Sequence, residues 1–166
     1  MNLPSHDSAG RGVVWIRLCN HRPSASTPED FARCVAFVVL RCVSSSPFVQ
    51  RVGLTVVNDM SGISISNLQP AAAKLVFGTV FPSLPVRVGR VCIFNPPFIV
   101  GSLVLPVALR LISVKLRGRV KVMSSDTADL EPYVPESQRP GELGGSLPFD
   151  EEEWKRGLSG APALAN

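Results

Sequence analysis

Two stretches of this chain, VGLTVVND at 52–59 and VGRVCIFN at 88–95, are β-branched and apolar at consecutive positions as well as alternate ones. Successive side chains of a strand point to opposite faces, so strands of this kind must be covered on both sides. That points to the inner strands of a parallel sheet with a layer packed on each face. The connecting segments supply the layers. Thr27 or Ser26 ahead of Pro28, Glu29 and Asp30 reads as a helix start, with proline in the first turn and acids at the positive end of the dipole. This helix runs to about residue 43, where SSSP at 44–47 breaks it. Further helices are expected over 67–80 and 97–112, and further strands over 13–21 and 118–124. The order β-α-β-α-β-α-β predicts an α/β fold: a mostly parallel β-sheet with crossover helices. Residues 1–12 read as a flexible leader, 13–146 as the folded domain and 147–166 as an acidic, then flexible tail. With 166 residues, 45% hydrophobic and 18% charged, there is enough apolar material for one core.

Charge is unevenly distributed. Up to Lys121 there are fourteen Lys and Arg against four Asp and Glu, a net +10, while the remainder carries nine acids and three bases, a net −6. A basic body suits an anionic partner, and a solvated surface with no target is the plainer alternative. Aromatic residues are few and not interleaved with the basic ones, which argues against a single-stranded nucleic-acid platform. Cys19, Cys34, Cys42 and Cys92 form no C-x-x-C pair and read as reduced core residues of a cytoplasmic protein. The only histidines, His6 and His21, lack zinc-ligand spacing, so no metal is expected. The opening MNLPSHDSAGRG is polar and does not resemble a signal peptide.

Catalytic signatures are missing from the sequence. No G-x-G-x-x-G, G-x-x-x-x-G-K-[ST] or G-x-S-x-G motif is present. His21, near a strand end, would be a base in an enzyme and a loop residue otherwise. Asp59 and Asp126 fall just past strand ends, where open sheets bind ligands. They pair as acid–base or metal residues on one reading and cap turns on the other, which is the reading preferred here.

The unusual stretch is FNPPFIVGSLVLPVALR at 94–110. From Phe98 to Leu109 it is apolar almost all round, whereas a helix in a layered fold needs only one apolar face. As a helix this run spans about 18 Å at ~1.5 Å per residue, too short for a bilayer core of ~30 Å. Pro106 removes a backbone hydrogen bond and Gly101 adds conformational entropy, at costs of about 3 and about 1 kcal/mol in a rigid helix interior. Just beyond lie Arg110, Lys115, Arg117, Arg119 and Lys121 with no acid among them. The last four alternate, which places them on one face if the stretch is extended.

The order of these pieces resembles the CRAL-TRIO lipid-binding domain, the fold of yeast-type phosphatidylinositol transfer proteins and of tocopherol- and retinal-carrying proteins. GLTVVNDMSGISISNL at 53–68 is similar to its strand-Asp-x-x-Gly turn, and VFPSLPVRVGRVCIFNPPF at 80–98 to its aromatic-Pro, Arg, strand, Asn-x-Pro segment. VLPVAL at 104–109 stands where that family has a proline in a mobile helix, GRVKVMS at 118–124 resembles its last strand, and PGELGG at 140–145 its closing Pro-x-x-x-Gly-Gly. The resemblance implies a mobile gate helix over an apolar pocket and no catalytic residues. It also implies a bound lipid in place of any cofactor. The expected pocket walls are Val56, Val57 and Ile93 from the strands, with Phe98, Leu103, Val107 and Leu111 from the gate. Arg87, Lys115, Arg117 and Arg119 are the expected headgroup or membrane contacts, although Val86 stands where phosphatidylinositol-binding members place a glutamate. The resulting expectation is a non-enzymatic, cytoplasmic, peripherally membrane-associated domain that binds and transfers a hydrophobic lipid, docks on anionic membranes and has no nucleic-acid partner. The alternative is a protein-interaction or membrane-targeting module of the same fold with no transferable ligand. A small enzyme using Asp59 and Asp126 is the third reading.

Overall fold

The two-sided strands fall side by side at the centre of one parallel sheet. A computed structural model describes residues 5–44, 46–110 and 112–148. In it β1 (Gly12–Arg17), β2 (Leu54–Asp59), β3 (Val88–Phe94) and β4 (Val120–Met123) run in the order β1-β2-β3-β4. α1 (Pro28–Ser44) and α2 (Pro47–Val52) connect β1 to β2. α3 (Pro70–Leu75), a π-helical turn at Val76–Val80 and α4 (Phe81–Ser83) connect β2 to β3. The connection to β4 holds a π-helical turn at Val100–Val104, α5 (Leu105–Arg110) and α6 (Val114–Arg117). Crossovers between parallel strands keep one hand, so a sheet whose spatial order follows chain order carries its helices on one face.

Local chemistry sets the boundaries. Thr27 and Asp30 cap α1 reciprocally: the Asp30 N–H donates to Thr27 Oγ1 at 3.1 Å, and the Thr27 N–H to Asp30 Oδ2 at 3.1 Å. β2 begins at Leu54, two residues later than the apolar run, because Gly53 ends α2 with φ 92°. A side chain there would also meet the Arg87 carbonyl oxygen at 2.1 Å, so only glycine fits.

The two faces are covered differently. On the helix side Val14 and Leu54 pack with Ala32, Val35, Val39 and Val76 from the helices. On the other side Val13, Trp15, Val57, Cys92, Phe94 and Met123 pack against Leu130, Val134 and Leu143. Those last three belong to a strap of 3-10 turns that follows β4, at Thr127–Leu130, Glu136–Gln138 and Gly141–Leu143. Buried Arg139 fastens the strap, donating to the Thr127 carbonyl at 2.7 Å and pairing with Glu131. Residues 5–11, expected as part of a flexible leader, are instead stitched to the same side. Ser5 and Asp7 are buried, the Trp15 Nε1–H donates to Ser5 Oγ at 3.1 Å, and the Thr55 hydroxyl donates to Asp7 Oδ2 at 2.7 Å. Polar composition gave no sign of this, because these polar groups have buried partners instead of water. The acidic tail from 149 onward lies outside the described residues. Among the cysteines, Cys42 and Cys92 are core residues whose thiols burial pushes up to about 11, but Cys19 is half-buried and Cys34 is exposed, contrary to expectation.

Candidate functional site

The apolar proline-bearing segment enters its helix through Asn95, which has φ 48°, a left-handed conformation that asparagine tolerates better than most residues. Its Nδ2 donates to Ser61 Oγ at 3.0 Å and its N–H to the Ser124 carbonyl at 3.2 Å, tying the end of β3 to the segments after β2 and β4. Pro106 then poses a local problem: in α-helical geometry its ring would strike the carbonyl of Ser102. The chain widens to a π-turn before it, and the Leu105 N–H reaches back five residues to Val100. The same device occurs once more. In VFGTVFP the Phe81 N–H reaches Val76, and Pro82 follows. The matching pair, VFGTVFP and VGSLVLP, lies in two successive crossovers.

The Pro106 helix is apolar on both faces, but the expected faces are exchanged. Val100 and Leu105 are buried with Met60, Ile63 and Ile93, while Val104 and Leu109 pack partly against them. Phe98, Leu103 and Val107 face outward at 85%, 67% and 60% exposure, with Ile99 beside them. The three expected pocket-wall residues on this helix therefore form a surface. The sequence could not assign the faces because a helix apolar all round has no preferred side, and the π-turn rotates the residues after it. Leu111 lies outside the described residues. Of the strand residues, Ile93 packs in one cluster with Val100 and Leu105 of the helix, and Val56 lies on the same side of the sheet, in register with Val14 and Val91. Val57 does not: it is wholly buried on the strap side, as strand alternation requires of the neighbour of Val56.

Several of the basic residues gather at one end of the sheet in altered roles. Residues 114–117 are helical, so the expected extended alternation from 115 to 121 is absent. Lys115 is exposed. Arg117 donates from Nε to the Leu109 carbonyl at 2.9 Å, fastening the end of the Pro106 helix. Arg119 is half-buried and donates to the Val88 carbonyl. That bond brings 115–119 to the end of the sheet where β3 begins, next to exposed Arg87. Arg110 and Lys121 are also exposed.

Two further features were not foreseen. Val56, at 5% exposure, and Asn58 lie on the helix side of β2 but belong to neither of the apolar clusters there. Asn58 sits in register between Ile16 and Ile93, and its Oδ1 is buried without a hydrogen-bond partner. The two residues mark a seam between the core under α1 and α3 and the core under the Pro106 helix. The second feature is a groove of about 570 Å³ along the outer side of β1, between α1 and the strap, lined by Ile16, Phe31, Val35 and Leu143 among others. Arg17 closes one part of it, with Nε 3.2 Å from Asp59 Oδ2 and a second pairing to Glu142.

The candidate carboxylates act as caps. Asp59 Oδ1 accepts the Ser61 N–H at 2.9 Å and Asp126 Oδ1 accepts the Ala128 N–H at 2.9 Å. His21 lies 3.2 Å from Gln69 Oε1 and packs on Phe31. No metal-binding group of His, Cys, Asp and Glu occurs among the described residues, and none of their helices is long and apolar enough to cross a membrane.

A parallel α/β sheet with a proline-interrupted apolar helix after Asn95-Pro96-Pro97 defines a recognisable class, and the chain matches it over nearly its whole length. It belongs to the CRAL/TRIO domain family, which it matches over residues 1–145. It is similar to rat tyrosine-protein phosphatase non-receptor type 9, with 25% identity over 158 residues, covering 92% of this chain and 25% of the relative. It is also similar to human alpha-tocopherol transfer protein-like, with 28% identity over 156 residues, covering 92% of this chain and 45% of the relative. The chain thus spans a quarter to under half the length of these relatives. The crystal structure of Sfh5 superposes with a TM-score of 0.67 at 16% identity, over 93% of this chain and 61% of that one, and shares the fold.

Proposed function

We propose that this domain binds one hydrophobic lipid between the sheet and the Pro106 helix and exchanges it with anionic membranes, without catalysing a reaction. The observation that carries this reading is the doubly apolar helix: an inner face of Val100 and Leu105 on the sheet, and an outer face of Phe98, Leu103 and Val107 in solvent. A helix that served only as a layer would expose polar residues. A helix that trades its sheet contacts for membrane contacts needs both faces apolar. Its π-turn and proline are the places where it bends, so it acts as a gate. Family membership and the likeness to an alpha-tocopherol transfer protein-like relative agree with a lipid cargo. Exposed Arg110, Lys115 and Arg87 flank the outer face or the adjoining end of the sheet, and each is worth about 1 kcal/mol near an anionic leaflet. Arg117 and Arg119, bound to carbonyls, contribute positive field there.

The rival is a targeting or interaction module with a closed pocket, and the direct packing of Val100 and Leu105 on Ile93 is the observation in its favour. Extraction of the purified protein with organic solvent, followed by mass spectrometry, separates the two. The lipid-exchange reading expects one lipid per chain, and transfer of a fluorescent lipid between anionic vesicles that slows as salt rises. A chain that binds such vesicles but holds and moves no lipid is the rival.

A further inference from the structure

Among the described residues three buried side-chain polar atoms lack a hydrogen-bond partner, and the one beneath the helices, Asn58 Oδ1, lies on the seam. Asn58 points to the helix side of β2, between Ile16 and Ile93. Its neighbours on that face, Val56 and Ile93, are buried and apolar. Its Oδ1 is out of contact with solvent and accepts no hydrogen bond. Nearly all buried polar side-chain atoms in folded proteins find a partner, and an unpaired one is destabilising. The neighbouring strand positions on this face, among them Ile16, Val56, Val91 and Ile93, all carry apolar side chains, so a valine or leucine at 58 would serve the fold at least as well.

The defect also has a particular place. The core under α1 and α3 ends on one side of it, and the core under the Pro106 helix begins on the other. The two crossovers that follow β2 and β3 are the two that carry a π-turn ahead of a proline. A parting of these helices would uncover the seam over Val56 and Asn58.

Building on the lipid reading above, we propose that Asn58 is the specificity residue of the pocket: its Oδ1 accepts a hydrogen bond from a hydroxyl on the cargo, so the preferred ligand is a lipid alcohol. The apolar body of such a ligand lies along Val56 and Ile93, and its hydroxyl donates to Oδ1. A ligand with no donor leaves Oδ1 unpaired and binds more weakly.

The test uses the full chain and a fluorescent lipid reporter displaced by oleyl alcohol or by oleyl methyl ether, which lacks the donor. The parent is expected to prefer the alcohol roughly tenfold, the scale of one buried hydrogen bond against an unpaired partner. Asn58→Val and Asn58→Thr are compared with it. They have the same shape, suit a strand and differ in one hydroxyl, so Val should abolish the preference and Thr should keep part of it. The ligand-free Asn58→Val protein should melt no lower than the parent. Equal binding of alcohol and ether by the parent overturns the proposal, as does a preference that survives Asn58→Val. Either result leaves lipid binding itself intact, whereas a parent that does not bind the reporter at all refutes the lipid reading together with this inference.

Discussion

The two sides of the sheet are both apolar, yet one is covered by a single continuous core and the other by two. On the strap side, residues from four strands meet Leu130, Val134 and Leu143 in a single cluster. Polar groups around that cluster are tied into it: Asp7 takes the Thr55 hydroxyl, and Arg139 donates to a carbonyl and pairs with a carboxylate, although its Nε, like that of Arg17, has no hydrogen-bond partner. On the helix side the core is split in two, the amide oxygen of Asn58 at the split has no hydrogen-bond partner, and the last helix has exposed apolar residues as well as buried ones. A fold built for stability alone would close both sides alike. If the helix side opens as proposed, the difference assigns rigidity to the strap side and movement to the other.

The largest expected effect is on the strap side. Leu130 is wholly buried, and Leu130→Ala should cost about 2–5 kcal/mol of unfolding free energy. Leu103→Ala, on the exposed face of the Pro106 helix, should change stability by no more than about 0.5 kcal/mol. Urea denaturation of both variants checks the comparison, and similar losses would mean that the two sides are equally structural.

A middle-sized effect concerns the fastening of residues 5–11. Burial pushes the Asp7 carboxyl up, but the hydrogen bonds from the Thr55 hydroxyl, the Arg11 and Ala9 N–H groups and the Arg11 guanidinium together hold it below 3.8. A carboxyl lowered on folding stabilises the fold above its unfolded pKa, and that contribution is lost as pH falls through the folded value. The parent should therefore lose stability in acid below about pH 4, on the reference scale for aspartate. Asp7→Asn should be less stable at pH 7 by about 1–3 kcal/mol, since it weakens bonds to partly buried donors, and should show a flatter acid limb. Thermal melts from pH 3 to 7 measure both quantities, and a variant that keeps the parent's acid limb would place the titration elsewhere.

The contrast between the sides also explains what the sequence made legible. Strands carry their own evidence, because two-sided apolar runs such as Val88–Phe94 have one structural solution. Helix ends were readable from Thr27 and from the SSSP break, since caps and prolines act locally. The site was less legible. Phe98, Leu103 and Val107 read as wall residues and are surface, because a helix apolar all round gives no phase and a π-turn shifts the one it has. Val57 faces the strap for a simpler reason: neighbouring strand residues point to opposite sides of a sheet, so it cannot share a face with Val56. Asn58 was visible as the one amide within the apolar strand β2, but its significance needed the seam. Arg117 and Arg119 were found by charge, yet charge could not show that carbonyls already hold them.

The smallest effect on stability carries the sharpest test of the helix side. Gly101→Ala with Pro106→Ala restores a hydrogen-bond donor and removes the conformational cost of glycine, worth about 1 kcal/mol in a helix interior. An alanine Cβ at 101 would meet the Pro96 ring at 3.7 Å, an ordinary contact, so the substitution fits the closed helix. The melting temperature should hold or rise by a few degrees. If the π-turn and proline are where the helix bends to open, the same variant should exchange lipid between vesicles several-fold more slowly, because release waits for the gate. A helix that is simply a layer gains the same stability and leaves exchange unchanged. Both quantities measured on one preparation decide the matter, and a stiffer variant that exchanges lipid at the parent's rate would make the split core on the helix side a packing irregularity with no part in transfer.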